Sequence, residues 1–243
     1  MEKEWQGYAQ RLKELFKLED SPVAVSCLKG PLENAGPQKI RICRALLDAA
    51  RGKSFTISKE NNACFGASWH LGFRKLDDPK VEKLVKKFVV EGEKLFASYE
   101  ALETLISQMP PPPDNKDAYF ALSPLEEASF EPQIVVFVCN PEQACRLLTF
   151  ASFSEGKMPQ IKIGGPTCRL AVIYPMLSGQ TNLSFYDYTA RKMCGVKPDK
   201  LLVSMPYAEV SRMVAHIDTC SAGTARVEYP QEFREFLQKR MVT

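Results

Sequence analysis

The sequence predicts a mixed α/β protein made of two pseudo-repeated strand-helix-strand halves packed together. Apolar runs of strand length alternate with segments of helical period. A run of four prolines, Pro110 to Pro113, divides the chain. The order of strand, cysteine-led helix, Gly-Lys and second cysteine occurs on both sides of it.

The elements follow in order. Trp5, Tyr8, Leu12, Leu15 and Phe16 fall at helical spacing, and Asp20-Ser21-Pro22 ends that helix. Val23 to Leu28 is a short apolar run closed by Gly30-Pro31, which suits a buried strand. Ile40 to Ala50 reads as a helix stopped by Gly52, and Ser54 to Ser58 alternates as a strand does. A long amphipathic segment runs from Pro79 to about Met109. The divisions are therefore an N-terminal half, 1–109, a proline-rich linker, 110–117, and a C-terminal half, 118–243. In the second half Ala118 to Leu122 and Pro132 to Val138 read as strands, and Pro141 to Phe153 as a helix with proline in its first turn. Ile161–Gly165, Leu170–Tyr174 and Leu183–Tyr186 are further strand candidates, and 206–219 and 230–240 read as helices.

The repeat rests on Cys43-Arg-Ala-Leu-Leu against Cys145-Arg-Leu-Leu-Thr. Each segment runs on to Gly-Lys, at Gly52-Lys53 and Gly156-Lys157, and reaches another cysteine, Cys64 or Cys168, twelve residues after its glycine. An approximate two-fold axis would bring Cys43, Cys64, Cys145 and Cys168 together at the start of a helix and the end of a strand, where the helix dipole favours a thiolate.

Composition narrows the function classes. The chain has 243 residues, 45% hydrophobic and 25% charged, which is the range of a globular protein able to bury a sizeable core. Its 32 basic and 29 acidic residues are interspersed and give a net charge of only +3, so no phosphate-tracking stripe marks it for nucleic acid. The N-terminus lacks the basic-then-apolar order of a signal peptide, and no apolar run is long enough to span a membrane. A cytoplasmic setting is expected, with the eight cysteines largely reduced.

No tight Cys-x₂-Cys pair announces zinc or a ferredoxin-type cluster, although four thiolates from distant elements can hold an iron–sulfur cluster if the fold gathers them. His70 and His216 are the only histidines, and His70, beside Trp69, reads as a hydrogen-bonded structural imidazole. The stretch Leu183 to Lys192 holds aromatics including Tyr186, the carboxylate of Asp187 and the guanidinium of Arg191. It can line a pocket, with Asp187 as a ligand and Arg191 as counter-charge to an anion; a strand followed by a salt-bridged helix start accounts for the same residues.

The order Cys43-Arg-Ala-Leu, Gly52, Ala63-Cys64-Phe-Gly, Leu71-Gly72, Asn140-Pro-Glu-Gln-Ala and Cys168 resembles the domain of unknown function 169 family over nearly the whole chain. The resemblance implies cysteines acting together at 43, 64 and 168. It also implies a fourth position, in a Cys-x-Gly-x-Arg stretch, which here resembles Asp187-Tyr-Thr-Ala-Arg191 and so carries Asp187. Cys145 has no counterpart in that pattern, which weakens the symmetric four-thiol arrangement. The ligand set implied is Cys43, Cys64, Cys168 and Asp187 around an iron–sulfur cluster of the 4Fe–4S kind, with zinc as the alternative metal. Electron transfer or small-molecule reduction is the function expected, with a redox partner or small ligand and a homo-oligomer compatible with it. The contrasting expectation is a non-redox protein that binds a small anionic metabolite in a pocket including Arg191, His70 and Tyr186, its cysteines serving only as packing. Cys27, Cys139, Cys145, Cys194 and Cys220 are left without an assigned role.

Overall fold

The computed structural model describes residues 3–33, 38–75 and 77–241. Its centre is a six-stranded antiparallel sheet of order β2-β3-β1-β4-β6-β5. The strands are β1 (Val23–Leu28), β2 (Phe55–Ile57), β3 (Tyr119–Pro124), β4 (Ile134–Cys139), β5 (Asn182–Ser184) and β6 (Leu201–Pro206). The central β4 reads IVVFVC and is buried at every position, as expected of a β-branched run covered on both faces. The edge strands β2 and β5 are three residues each, which leaves little unpaired backbone.

The helices described are α1 (Glu4–Phe16), α2 (Ile42–Ala49), α3 (Phe65–His70), α4 (Pro79–Lys87), α5 (Tyr99–Gln108), α6 (Pro141–Phe153), α7 (Tyr174–Ser178), α8 (Tyr188–Cys194), α9 (Tyr207–Ala215) and α10 (Gln231–Met241). Side chains alternate across the sheet, so two cores form. On one face α1, α6 and α9 pack against Ala24, Val135, Phe137, Val203 and Met205. On the other, α2, α3, α8 and the segment from Cys168 to Ile173 pack against Val23, Val25, Ile134, Val136 and Leu202. The α1 stripe of Trp5, Ala9, Leu12 and Phe16 repeats at helical spacing and is buried throughout. Asn140 caps α6 reciprocally with Gln143, and Pro141 occupies its first turn.

The strand order is palindromic when β1, β2 and β3 are matched with β4, β5 and β6. The helices do not follow it. A two-fold axis through the sheet would place α2 and α6 on one face, yet they lie on opposite faces. The expected symmetric gathering of thiols is therefore absent, because Cys145 is exposed on α6, across the sheet from Cys43. The sheet also takes strands from both sides of the proline run, since β3 pairs with both β1 and β2.

Several sequence expectations change. Leu170–Tyr174 is no strand: Cys168–Ile173 forms a π-helical turn, buried at each position, that leads into α7. A short, continuously apolar run serves a buried helix as well as a strand. Ile161–Gly165 forms no strand either; Asn182 instead holds Lys162 through its side chain, accepting from the Lys162 amide and donating to its carbonyl. The amphipathic stretch from Pro79 breaks after a π-helical turn at Phe88–Gly92, and α5 restarts behind the Ser98 cap. Strand β6 was not expected, because the reading began a helix at 206, where Pro206 instead ends the strand.

Gly72 ties the proline segment to the thiol-bearing face. Its φ is +84°, and a Cβ there would come within 2.0 Å of the Pro113 carbonyl oxygen, while its own carbonyl accepts from the Asn115 amide at 2.9 Å. Both the left-handed backbone and the close approach require glycine. Gly72→Ala is expected to destabilise the protein by roughly 2–3 kcal/mol. Urea unfolding followed by circular dichroism checks this: the midpoint should fall with little change in slope.

Candidate functional site

The face carrying α2, α3 and α8 holds the chemistry. Cys43 lies in the first turn of α2, Cys64 is the N-cap of α3, and Cys168 opens the buried π-helical turn. All three stand at helix starts, where free amides and the helix dipole favour negative sulfur. The fourth thiol comes from the other end of a helix: Cys194 closes α8, and its sulfur is 3.7 Å from that of Cys43.

Electrostatic coupling links the set. The sulfur–sulfur hydrogen bond with Cys194 pushes the Cys43 thiol well up, followed by burial and by the charges that Cys194, Cys168 and Asp187 would carry. Burial, then Cys64 and Asp187, raise Cys168. Cys194 moves the opposite way, held low first by the hydrogen bond with Cys43 and then by Arg44 and Arg41, against its own burial. Cys194 is thus the first of this pair to ionise. The Arg41 guanidinium is 4.0 Å from the Cys64 sulfur and also acts on Cys194, so one cation serves two thiols.

Asp187 occupies the middle of this group, with its oxygens engaged. Oδ1 accepts from the Ala190 amide and caps α8, while Oδ2 accepts from the Thr167 amide and hydroxyl at 3.0 and 2.7 Å. The Asp187 amide in turn donates to the Thr167 hydroxyl. Thr167 precedes Cys168, and Cys194 lies seven residues after Asp187, two turns along the helix it caps. One carboxylate therefore fixes the elements bearing two of the thiols.

Several buried donors on this face lack partners, the hydroxyls of Tyr186, Ser184 and Ser204 and Nε of Arg169 among them. Tyr186 is 1% exposed, its hydroxyl makes no hydrogen bond, and after burial the Cys43 and Cys194 thiols are what most raise its ionisation. Arg169 is 1% exposed with Nε unpartnered. Its other nitrogens reach the Pro110 carbonyl at 2.8 Å and His70 Nδ1 at 3.4 Å, and its guanidinium lies over the Trp69 ring. Burial lowers the Arg169 pKa, and Cys168 is the acidic group that opposes this. Burial, with Arg169 adding to it, pushes His70 down to about 3, so the imidazole is neutral near pH 7 and acts as an acceptor.

Of the remaining residues singled out in the sequence, Arg191 turns to the carbonyls of Lys197, Pro198 and Lys200 and closes the turn after α8. It does not converge with His70 and Tyr186 on a common cavity. Cys139 and Cys220 are buried on the far face, where burial raises Cys139 to about 12. Cys27 lies on the thiol side, its sulfur 4.0 Å from Asn115 Oδ1. Sequence reasoning missed Cys194, Arg41 and Arg169. The available signals were the two-turn spacing from Asp187 to Cys194 and the arginine directly after Cys168.

Among the described residues, no group of three or more histidine, cysteine, aspartate or glutamate side chains is arranged to hold a single metal ion. A cavity of about 530 Å³ opens beside Cys194, lined mainly by Gln38 to Arg41, Arg44, Asp48, Lys53 and Phe55. Among the described residues no helix is long and apolar enough to cross a membrane.

Comparison with known proteins places this geometry in a lineage. The chain is 26% identical over 221 residues to the uncharacterised protein MJ0308 of Methanocaldococcus jannaschii, covering 86% of this chain and 92% of that one. No solved structure matches it. The model of the DUF169 family, described as uncharacterised ArCR, matches residues 11–216, a span that contains Cys43, Cys64, Cys168, Asp187 and Cys194. The chain belongs to the domain of unknown function 169 family.

Proposed function

We propose that the protein binds an iron–sulfur cluster through Cys43, Cys64, Cys168 and Cys194 and uses it in electron transfer or small-molecule reduction. Asp187 takes the role of positioning residue, because its oxygens hold Thr167 and the first turn of α8 while the Cys194 sulfur stands beside that of Cys43.

The observation that carries the reading is a linked set of thiols bordered by two orphaned donors, Tyr186 and Arg169. Buried thiolates repel one another, so this set cannot ionise together without a cationic metal among them. A buried arginine without a carboxylate calls for an anion nearby. An iron–sulfur cluster answers both demands, its iron neutralising the thiolates and its sulfides accepting from the donors. The thiolates of a cluster sit on different irons, so the set need not converge on the single point that one ion requires.

Zinc on the same thiols is the second reading, favoured by one distance. Metal–sulfur bonds of about 2.3 Å in a tetrahedron put two sulfurs roughly 3.8 Å apart. The Cys43–Cys194 separation of 3.7 Å fits two thiolates on one zinc ion. Eight free cysteines suit a reducing compartment, and we place the protein in the cytoplasm, with a redox protein or a small molecule as its partner.

Protein purified and reconstituted without oxygen should carry iron and acid-labile sulfide in comparable amounts. Serine at position 43, 64, 168 or 194 should remove most of both, whereas Asp187→Asn should lower occupancy without abolishing it. Absence of iron and sulfide from the reconstituted wild type refutes the cluster, and stoichiometric zinc in their place selects the second reading.

The metal-free protein offers a separate check. Because Cys43 lowers Cys194 while being raised itself, iodoacetamide labelling of Cys194 should set in at lower pH than labelling of Cys43. The Cys194 rate should rise with pH through a midpoint below that of an ordinary cysteine. Cys43→Ala removes that hydrogen bond, so the midpoint should move up, as read by peptide mass spectrometry.

A further inference from the structure

The cavity beside Cys194 is strongly basic. Lys39, Arg41, Arg44 and Lys53 border it against a single carboxylate, Asp48, which Arg44 already holds at 2.9 Å. Among the described residues Lys39, Arg41 and Lys53 form no ion pair with a carboxylate. Like charges gathered without anions around a concavity repel one another and focus a positive potential into it. The wall is built by the start of α2, whose N-cap residue, Arg41, makes no side-chain capping bond, so the helix adds its positive end to the same space. Ile40 and Phe55 supply an apolar floor, and about 530 Å³ admits a small molecule rather than a polymer.

We infer that this cavity binds a small, multiply charged oxyanion, phosphate- or carboxylate-bearing, held by Arg41, Lys39 and Lys53 and seated against Cys194. A guanidinium fork and two mobile ammonium groups suit the oxygens of such a group, and three unpaired cations call for more than one negative charge. The contact with the thiol site is direct, since Arg41 also stands 4.0 Å from the Cys64 sulfur and Cys194 is part of the cavity lining. An anion that engages Arg41 draws its charge from the thiols, so occupancy of the cavity and the state of the sulfur site are coupled. Binding itself stands without the cluster.

Isothermal titration of the full chain at low ionic strength, handled without oxygen, tests this with inorganic pyrophosphate and citrate as separate probes. Saturable 1:1 binding of at least one probe is expected, weakening as salt is raised. In Arg41→Gln/Lys53→Gln the affinity should fall by about tenfold or more, and in Lys80→Gln, on exposed α4, it should not change. Binding of pyrophosphate alone assigns a phosphate ligand, and binding of citrate alone assigns a carboxylate. The inference is overturned if neither probe binds at millimolar concentration, or if the double variant, folded by circular dichroism, keeps wild-type affinity. Should that variant misfold, Lys39→Gln carries the test: its side chain is exposed, and unchanged affinity there overturns the inference equally. Iron and sulfide measured on the same samples separate the two proposals. A cluster-free protein that binds the probe refutes only the cluster, and a cluster-bearing protein that does not bind refutes only the anion site.

Discussion

The seam between β1 and β4 is the constraint on which the rest of the molecule depends. These strands join the two three-stranded parts of the sheet through only three paired positions, Val23 with Val136, Ala24 with Val135 and Val25 with Ile134. Beyond Val25 the strands part, and Gln133 takes over. Its amide donates to the Val25 carbonyl and approaches the Ser26 hydroxyl, and its side-chain oxygen accepts from the Cys27 amide. A side chain thus replaces the ladder where the backbones diverge, and the Cys27 amide keeps a partner. Because the seam is buried on both faces, a one-residue slip would exchange the residues belonging to the two cores.

The thiol site follows from that arrangement. Odd positions of β1 and even positions of β4 face α2, α3 and α8, and the packing of those helices sets where each sulfur lies. The site is assembled from helix ends, since a terminus can bring a side chain inward while its own amides remain available to negative charge. Cys194 departs from this pattern, sitting at a C-terminus where the dipole disfavours a thiolate. Arg41 and Arg44 act in the favourable sense on that sulfur, and Arg44 also approaches the Cys194 carbonyl at 3.5 Å. The basic cavity and the sulfur site are therefore one electrostatic unit.

Much of the secondary structure was legible because its signals are local. Pro141 after Asn140, with Gln143 three residues beyond the cap, specifies the start of α6, and the α1 stripe reports a helix with one buried face. The errors arose where local signals are silent. Leu170 to Tyr174 is apolar throughout, and only its surroundings decide that it winds rather than extends. The repeat misled because it is a pattern of strands and spacings, whereas the face on which a helix crosses depends on loops that such spacing does not describe. The resemblance singled out Cys43, Cys64 and Cys168 but not Cys194, whose place beside Cys43 depends on where the C-terminus of α8 falls.

Asp187 shows how one carboxylate supports two chemical readings. A carboxylate at the expected place of a fourth cysteine invites the reading that it replaces the thiol as a ligand. Its surroundings supply three protein donors, two from Thr167 and one from Ala190, and a carboxylate that gave these up to bind metal would leave the Thr167 amide and the first turn of α8 unsatisfied. Keeping them costs nothing if a thiol is available elsewhere. The helix that Asp187 caps is two turns long and ends at Cys194, so Asp187 determines where the Cys194 sulfur is delivered. The carboxylate acts on the site through the helix it begins.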